Sequence, residues 1–389
     1  MPEHADMHIG TRLREIRKRR GLNQRELAAA SGVSLSLIRQ LEQGAVAGTR
    51  LETAHKFAAA LRVSTSSLLD RDDCGATADM AEPWRPLQRA VQVASAAPAE
   101  APTVEGIRAV LPAVRSAYFD NRLVELSALL APLLRDADAL GDSTVVRGLR
   151  AQLLQIAGSV LTQVRQFDAA ETALQRALDD APDRIRGAAV ATTWSWLLLR
   201  QGKLRSAREL ATRWADDTEP RVSRATPEEL AAWGWLLLQA SAANLRDNRP
   251  GEAADTMRLA RSVSVLTGRE LPRGRDRLTT WGPATVSYKA AERHIVLDQP
   301  DKVLGMARRS GSQAASTEYH RHRLDVAKAH TMVRQYGEAV DALSDIHATA
   351  PEWLTSQRYA QDILAEVVKK RRTLTPQMRS LAGALSVPL

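Results

Sequence analysis

Cysteine is almost missing from this 389-residue chain. Cys74 stands alone, so neither an intramolecular disulfide nor a cysteine cage for a metal can form. Aromatic residues make up only 4%, although tryptophan alone occurs eight times. Long apolar runs are lacking: no 18-residue stretch is free of charge, so no membrane span is expected. The opening, MPEHADMH, has no apolar run behind a basic start; no secretory signal is read there, and a cytoplasmic location is expected. Loops of the G-x-x-x-x-G-K-[ST] and G-x-G-x-x-G kinds are absent, as are H-E-x-x-H and G-x-S-x-G. No catalytic residue, cofactor or enzymatic activity is therefore expected. His322 and His330 share a helix face but lie two turns apart, without an i, i+4 partner. They and His320 are read as solvent-facing or groove histidines, not metal ligands. His294 and His330 fall at equivalent places in two repeats, which points to packing between helices.

What is present is a chain long enough for two or three domains, with 44% hydrophobic content to build cores. The formal net charge is +9. Residues 1–72 hold 12 Lys/Arg against 8 Asp/Glu, so the positive charge is denser there, peaking at Arg17-Lys18-Arg19-Arg20. Such a run attracts phosphates but carries no sequence information.

Residues 22–44, LNQRELAAASGVSLSLIRQLEQG, spell two short helices joined by a tight turn. Asn23 caps the first helix and Ser34 the second, since a short side-chain oxygen there accepts a free N–H of the first turn. Gly32 sits at the turn, where a residue without Cβ takes a left-handed conformation cheaply. Leu27, Ala28, Val33, Ile38 and Leu41 are the apolar anchors. This is a helix-turn-helix, whose second helix enters the DNA major groove.

The pattern LNQ-x-EL-A…GV…I-x-x-LE-x-G resembles the Cro/C1-type repressor domain of the XRE family, from about Ile9 to Leu69. The resemblance implies five helices: Ile9–Arg19, Gln24–Ser31, Ser34–Gln43, Arg50–Leu61 and Ser64–Leu69. It also implies roles. Gln24 holds a phosphate and braces the recognition helix, while Asn23 and Gln43 match backbone-contacting positions. Leu35, Ser36, Arg39 and Gln40 match base-facing positions beside the cap Ser34. Gln40 offers a bidentate pair to adenine, and Arg39 reaches guanine or a phosphate. Leu35 packs on a thymine methyl, or DNA shape supplies part of the specificity. Lys18 belongs to the basic run facing phosphates. Arg17 and Glu42 match a pair that pins the first helix to the recognition helix, with a phosphate contact nearby.

Residues 73–103, rich in Ala and Pro, read as a linker between a DNA-binding domain at 1–72 and a helical domain at 104–389, with a short helix around Pro86–Ala94. From Thr103 onward the apolar period is helical. Four blocks align: 166–178, 203–215, 249–261 and 335–347. Each has a bulky residue or Pro (Phe167, Leu204, Pro250, Tyr336), then Ala three later, then an apolar residue four beyond. Each follows another helix, so the half resembles the tetratricopeptide repeat, a helix pair that stacks into a superhelix. Five or six pairs are expected, capped by helices around Ser356–Lys370 and Pro376–Leu385. The fold class is all-α: a lambda-repressor-like domain followed by a solenoid.

In such repeats the first helix of each pair lines the inner groove. Stepping along the copies selects Gln152, Gln155, Ser159, Thr162, Thr192, Trp196, Trp235, Arg246, Tyr288, Glu292 and Lys328. Of these, Gln155, Ser159, Thr192, Trp196, Trp235 and Tyr288 are the candidate ligand contacts. Trp194-Ser-Trp196 and Trp233-Gly-Trp235 are near-copies, with a third Trp-Gly at Trp281-Gly282. Positions i and i+2 point to different sides of a helix, so one Trp of each pair is expected in the core and the other nearer solvent.

The joined modules are similar in architecture to RRNPP-type sensors. That implies a homodimeric regulator on a double-stranded operator, whose repeat domain senses an effector. Only Asn121, Asn244 and Asn248 occur in the repeat half, and of these only Asn244 lies on a first helix, so the effector stays open between a peptide and a small molecule. The alternatives are an adaptor whose repeats grip a partner protein, and a vestigial DNA domain.

Overall fold

The computed structural model describes residues 9–46, 49, 51–63, 65, 68, 84–92, 101–274, 277–308 and 316–389. Among these residues twenty α-helices form the architecture, and an isolated β-bridge pairs Leu271 with Trp281. The fold is all-α, as expected. No described helix is long and apolar enough to cross a membrane.

Helices α1 (Ile9–Arg19), α2 (Gln24–Ser31), α3 (Leu35–Glu42) and α4 (Leu51–Leu61) surround a core of Leu13, Leu27, Ile38, Leu41 and Phe57. Asn23 accepts from the N–H of Glu26 at 2.9 Å and donates its own N–H to the Glu26 carboxylate at 2.7 Å, a reciprocal capping box. Ser34 Oγ accepts from Leu37 N at 3.3 Å, and Gly32 sits at φ 67° in the turn. The recognition helix is two residues shorter than expected because Ser34 and Gln43 are its caps, outside the regular turns. At the crossing of α1 and α3, a Cβ on Gly10 would lie 1.8 Å from the Leu41 carbonyl oxygen, so only glycine permits this approach. The fifth helix expected at Ser64–Leu69 falls mostly outside the described residues, as do Cys74 and most of the linker.

α5 (Arg85–Gln92) matches the short helix expected inside the linker, but it is part of the repeat core. Trp84, Leu87 and Val91 are buried in one cluster with residues of the next helices.

Six helix pairs follow: α6 (Val104–Phe119) with α7 (Leu123–Ala139), α8 (Thr144–Gln163) with α9 (Phe167–Asp179), and α10 (Arg184–Arg200) with α11 (Leu204–Thr218). Then come α12 (Pro227–Arg246) with α13 (Pro250–Thr267), α14 (Pro283–Val296) with α15 (Pro300–Ala307), and α16 (Thr317–Met332) with α17 (Tyr336–Thr349). Short α18 (Pro351–Thr355), α19 (Arg358–Lys370) and α20 (Pro376–Ala384) close the array. Ala170, Ala207, Ala253 and Ala339 are all fully buried. Each small residue lets the paired helix sit close, as the blocks imply.

The turn inside every pair is the same. A left-handed residue stands two positions before each second helix: Asn121, Arg165, Gly202, Asn248, Asp298 and Arg334. The next N–H donates to the carbonyl five residues back, as in Gln166 to Leu161 (2.8 Å), Arg249 to Asn244 (2.8 Å) and Gln335 to His330 (2.8 Å). This is the six-to-one hydrogen bond that closes a helix C-terminus. His294 and His330 brace two of these turns, with Nδ1 2.9 Å and 2.7 Å from the Oε1 of Gln299 and Gln335.

The tryptophans depart from the expectation. Trp233 and Trp235 are both buried, and Trp194 and Trp196 are both half-buried. α12 packs against α10, α11, α13 and α14, so neither of its sides faces water. Trp281 lies in the connection after α13, not in a helix, and its ring fills the space over Gly234. His320 and His322 are 4% and 3% exposed, so neither faces solvent; His320 is packed inside, and His322 lines the groove formed by the first helices.

The N-terminal bundle touches the solenoid through α4 and the residues after it. His55 Nδ1 lies 2.9 Å from the carbonyl oxygen of Arg246, and Asn248 Nδ2 donates to the Val63 carbonyl at 3.0 Å.

Candidate functional site

Two sites stand out, one on each half. On the N-terminal half, Ser36, Arg39, Gln40 and Gln43 sit at i, i+3, i+4 and i+7, one face of α3 and its cap, and all are exposed. Ser34, Lys18 and Asn23 are exposed as well; Leu35 and Gln24 are half-buried. Arg17 is placed differently. It is buried, its Nε and Nη2 donate to the two Glu42 oxygens at 2.6 and 2.7 Å, and Nη1 donates to the Leu22 carbonyl at 2.8 Å. All three guanidinium nitrogens are engaged inside the bundle, so Arg17 is a brace and not an outward phosphate contact. Gln24 Nε2 joins it on Glu42 Oε2 at 2.8 Å. Burial alone raises the Glu42 carboxyl, but hydrogen bonds from Arg17 and Gln24 outweigh it and hold the group below its ordinary value. The result ties α1, α2 and α3 at one carboxylate.

On the solenoid, the first helices of all six pairs converge on a cavity of about 80 Å³. Tyr118 comes from α6, Ser159 from α8, Thr192 and Trp196 from α10, Trp235 and Gln239 from α12, Tyr288 and Glu292 from α14, and Glu318, Arg321, His322 and Asp325 from α16. Five of the six ligand candidates meet here. Gln155, the sixth, lines a neighbouring cavity of about 400 Å³ that shares Thr192, Thr193, Trp235, Leu278 and Thr279 with the first. Gln152, Thr162, Arg246 and Lys328 line neither cavity. Thr162 is fully buried with its hydroxyl on the Gly158 carbonyl, and Lys328 reaches Glu366 at 2.9 Å.

Ordered contacts hold the walls. The Ser159 and Tyr118 hydroxyls lie 2.8 Å apart, and Trp235 Nε1 donates to the Thr280 carbonyl at 2.8 Å. Tyr288 stacks on His322 with centroids 4.7 Å apart. Glu292 takes both Arg246 and Lys289. Burial acts to raise the Glu292 carboxyl, but those two cations overcome it and hold the group well below its usual range. Burial pushes the Tyr288 hydroxyl up to about 12 and the His322 ring down to about 4, so both are neutral near pH 7.

Sequence reasoning missed the charged groups of α16. Glu318, Arg321 and Asp325 recur at i, i+3 and i+7, a stripe that the stepping passed over when it selected Lys328 from this helix.

No curated protein and no solved structure matches this chain significantly. Residues 13–68, running from the buried Leu13 of α1 past the end of α4, match the family model described as helix-turn-helix.

Proposed function

We propose that this protein is a DNA-binding transcriptional regulator whose solenoid senses a small effector. The observation that carries the reading is the exposed row Ser36-Arg39-Gln40-Gln43, held rigid from behind by Arg17, Glu42 and Gln24, within the segment that matches the helix-turn-helix family. Residues 1–72 form the DNA-reading unit. The sensing unit comprises 104–389 together with α5. The bundle docks on the solenoid through α4 and leaves α3 exposed, so docking and reading use different surfaces. A homodimer on a two-fold operator places two reading helices about one helical turn apart, roughly 34 Å. Effector and DNA are then coupled reciprocally through two states of the dimer. The small cavity of about 80 Å³ between six helices supports a small ligand over a long peptide.

Selection of bound fragments from a random DNA pool, with and without cell extract, tests this. An enriched half-site motif whose binding weakens as salt rises is expected. Absence of any salt-dependent binding would mean that the domain is vestigial. A second reading, the protein-interaction adaptor, draws on an open, charged groove lined by Glu171, Arg213, Asp216 and Glu252 on the second helices and by Lys203, the residue before α11. Under that reading the groove, not the inner cavity, holds the occupant.

A further inference from the structure

The α16 stripe has charges that the protein itself leaves unmatched. The guanidinium of Arg321 lies 4.3 Å from the Trp196 ring centroid, and no described residue gives it a hydrogen bond or an ion pair. Glu318 Oε2 is buried without a hydrogen-bond partner, and Asp325 has no ion pair among the described residues. Tyr288 OH and Gln239 Oε1 in the same lining are buried and unpartnered as well. Buried polar groups are rarely left so, and buried charges more rarely still.

Helix geometry sets the spacing. At 1.5 Å rise per residue, Arg321 lies about 4.5 Å along the axis from Glu318 and about 6 Å from Asp325. The three charges thus alternate minus, plus, minus along one face without touching. A ligand that is only anionic satisfies Arg321 and repels the two carboxylates. One that is only cationic does the reverse. A zwitterion satisfies Arg321 and the neighbouring Glu318, whose Oε2 is the unpartnered carboxylate oxygen, at once.

We propose that the inner cavity binds a free α-amino acid, with its carboxylate on Arg321, its ammonium on Glu318, and its side chain directed past Trp235 into the neighbouring cavity. Arg suits the first contact because its planar fork makes two parallel hydrogen bonds to a carboxylate. The inner volume of about 80 Å³ fits the charged head and little else, while the adjoining 400 Å³ admits a bulky side chain. Burial drives Arg321 down and both Glu318 and Asp325 up, each toward its neutral form. Opposite charges brought by the ligand offset burial at Arg321 and Glu318. This inference rests on the reading of the solenoid as an effector sensor.

The test is thermal melting and titration calorimetry of the full-length protein with each protein-forming amino acid in turn. The decarboxylated amine and the deaminated acid matching each compound that binds are then titrated. At least one amino acid should raise Tm, with both counterparts at least about tenfold weaker. Arg321→Met and Glu318→Gln should each weaken that amino acid by about tenfold or more; the near-isosteric Glu318→Gln keeps the test open if Arg321→Met does not fold. The proposal is overturned if no amino acid binds, if either counterpart binds as tightly, or if both folded variants bind like wild type. DNA titration without ligand runs alongside. Intact salt-dependent DNA binding without amino-acid binding removes this proposal alone, and the converse result removes the regulator reading.

Discussion

Glu42 shows how much one side chain can organise. Its two oxygens receive Arg17 and Gln24, so one carboxylate connects three helices. Removing one partner of a buried pair leaves the other uncompensated. Glu42→Gln should therefore destabilise the N-terminal unit by about 3 kcal/mol, measured by chemical denaturation. The pH dependence follows from the same contact. The folded carboxyl titrates below its unfolded value of about 4.3, so its stabilisation is complete above that pH and is lost as pH falls through the folded value. The variant should lack this acid-side loss; a variant that tracks wild type from pH 5 to 3 would contradict the assignment. Gln40 on the exposed face of α3 and Lys18 at the end of α1 separate two kinds of contact. Gln40→Ala should relax specificity at one base pair, a loss of about 1–3 kcal/mol of discrimination, whereas Lys18→Ala should weaken all sequences alike and reduce the salt slope by about one. Equal losses on specific and random DNA for both changes would mean that α3 presents a different face.

At the scale of elements, close approach is set by glycine and alanine more than by large residues. A Cβ on Gly234 would sit 2.0 Å from the Trp281 ring. Gly234→Ala should cost about 1–3 kcal/mol through overpacking, and a second change, Trp281→Phe, should recover part of it in the same melting experiment. A neutral Gly234→Ala would show that the connection carrying Trp281 yields freely. The helix-turn-helix was legible because its caps, turn glycine and apolar anchors are all local. The second helices of the repeats were legible for the same reason: a bulky residue at the first position and Ala three later. Burial of whole helices was not. Trp196 and Trp235 were found as wall residues, but the expected split between core and solvent failed because α12 is enclosed by neighbours that no local pattern announces. The six left-handed turn residues include Arg165 and Arg334, types that give no hint of that conformation in sequence.

For the molecule as a whole, the junction between halves includes hydrogen bonds from His55 to the Arg246 carbonyl and from Asn248 to the Val63 carbonyl. The double variant His55→Ala/Asn248→Ala should leave operator binding by the ligand-free protein within about threefold and abolish its response to effector, read in a DNA titration with and without cell extract. An unchanged response would place the coupling elsewhere. Both acceptors at this junction are main-chain oxygens, which every amino acid carries. Arg246 accordingly serves two masters with separate atoms: its side chain reaches Glu292 at the cavity wall, while its peptide oxygen meets His55. Replacement of its side chain can thus retune the chamber without severing the joint, so the inner face is free to drift toward new ligands while the attachment of the reading head stays constant.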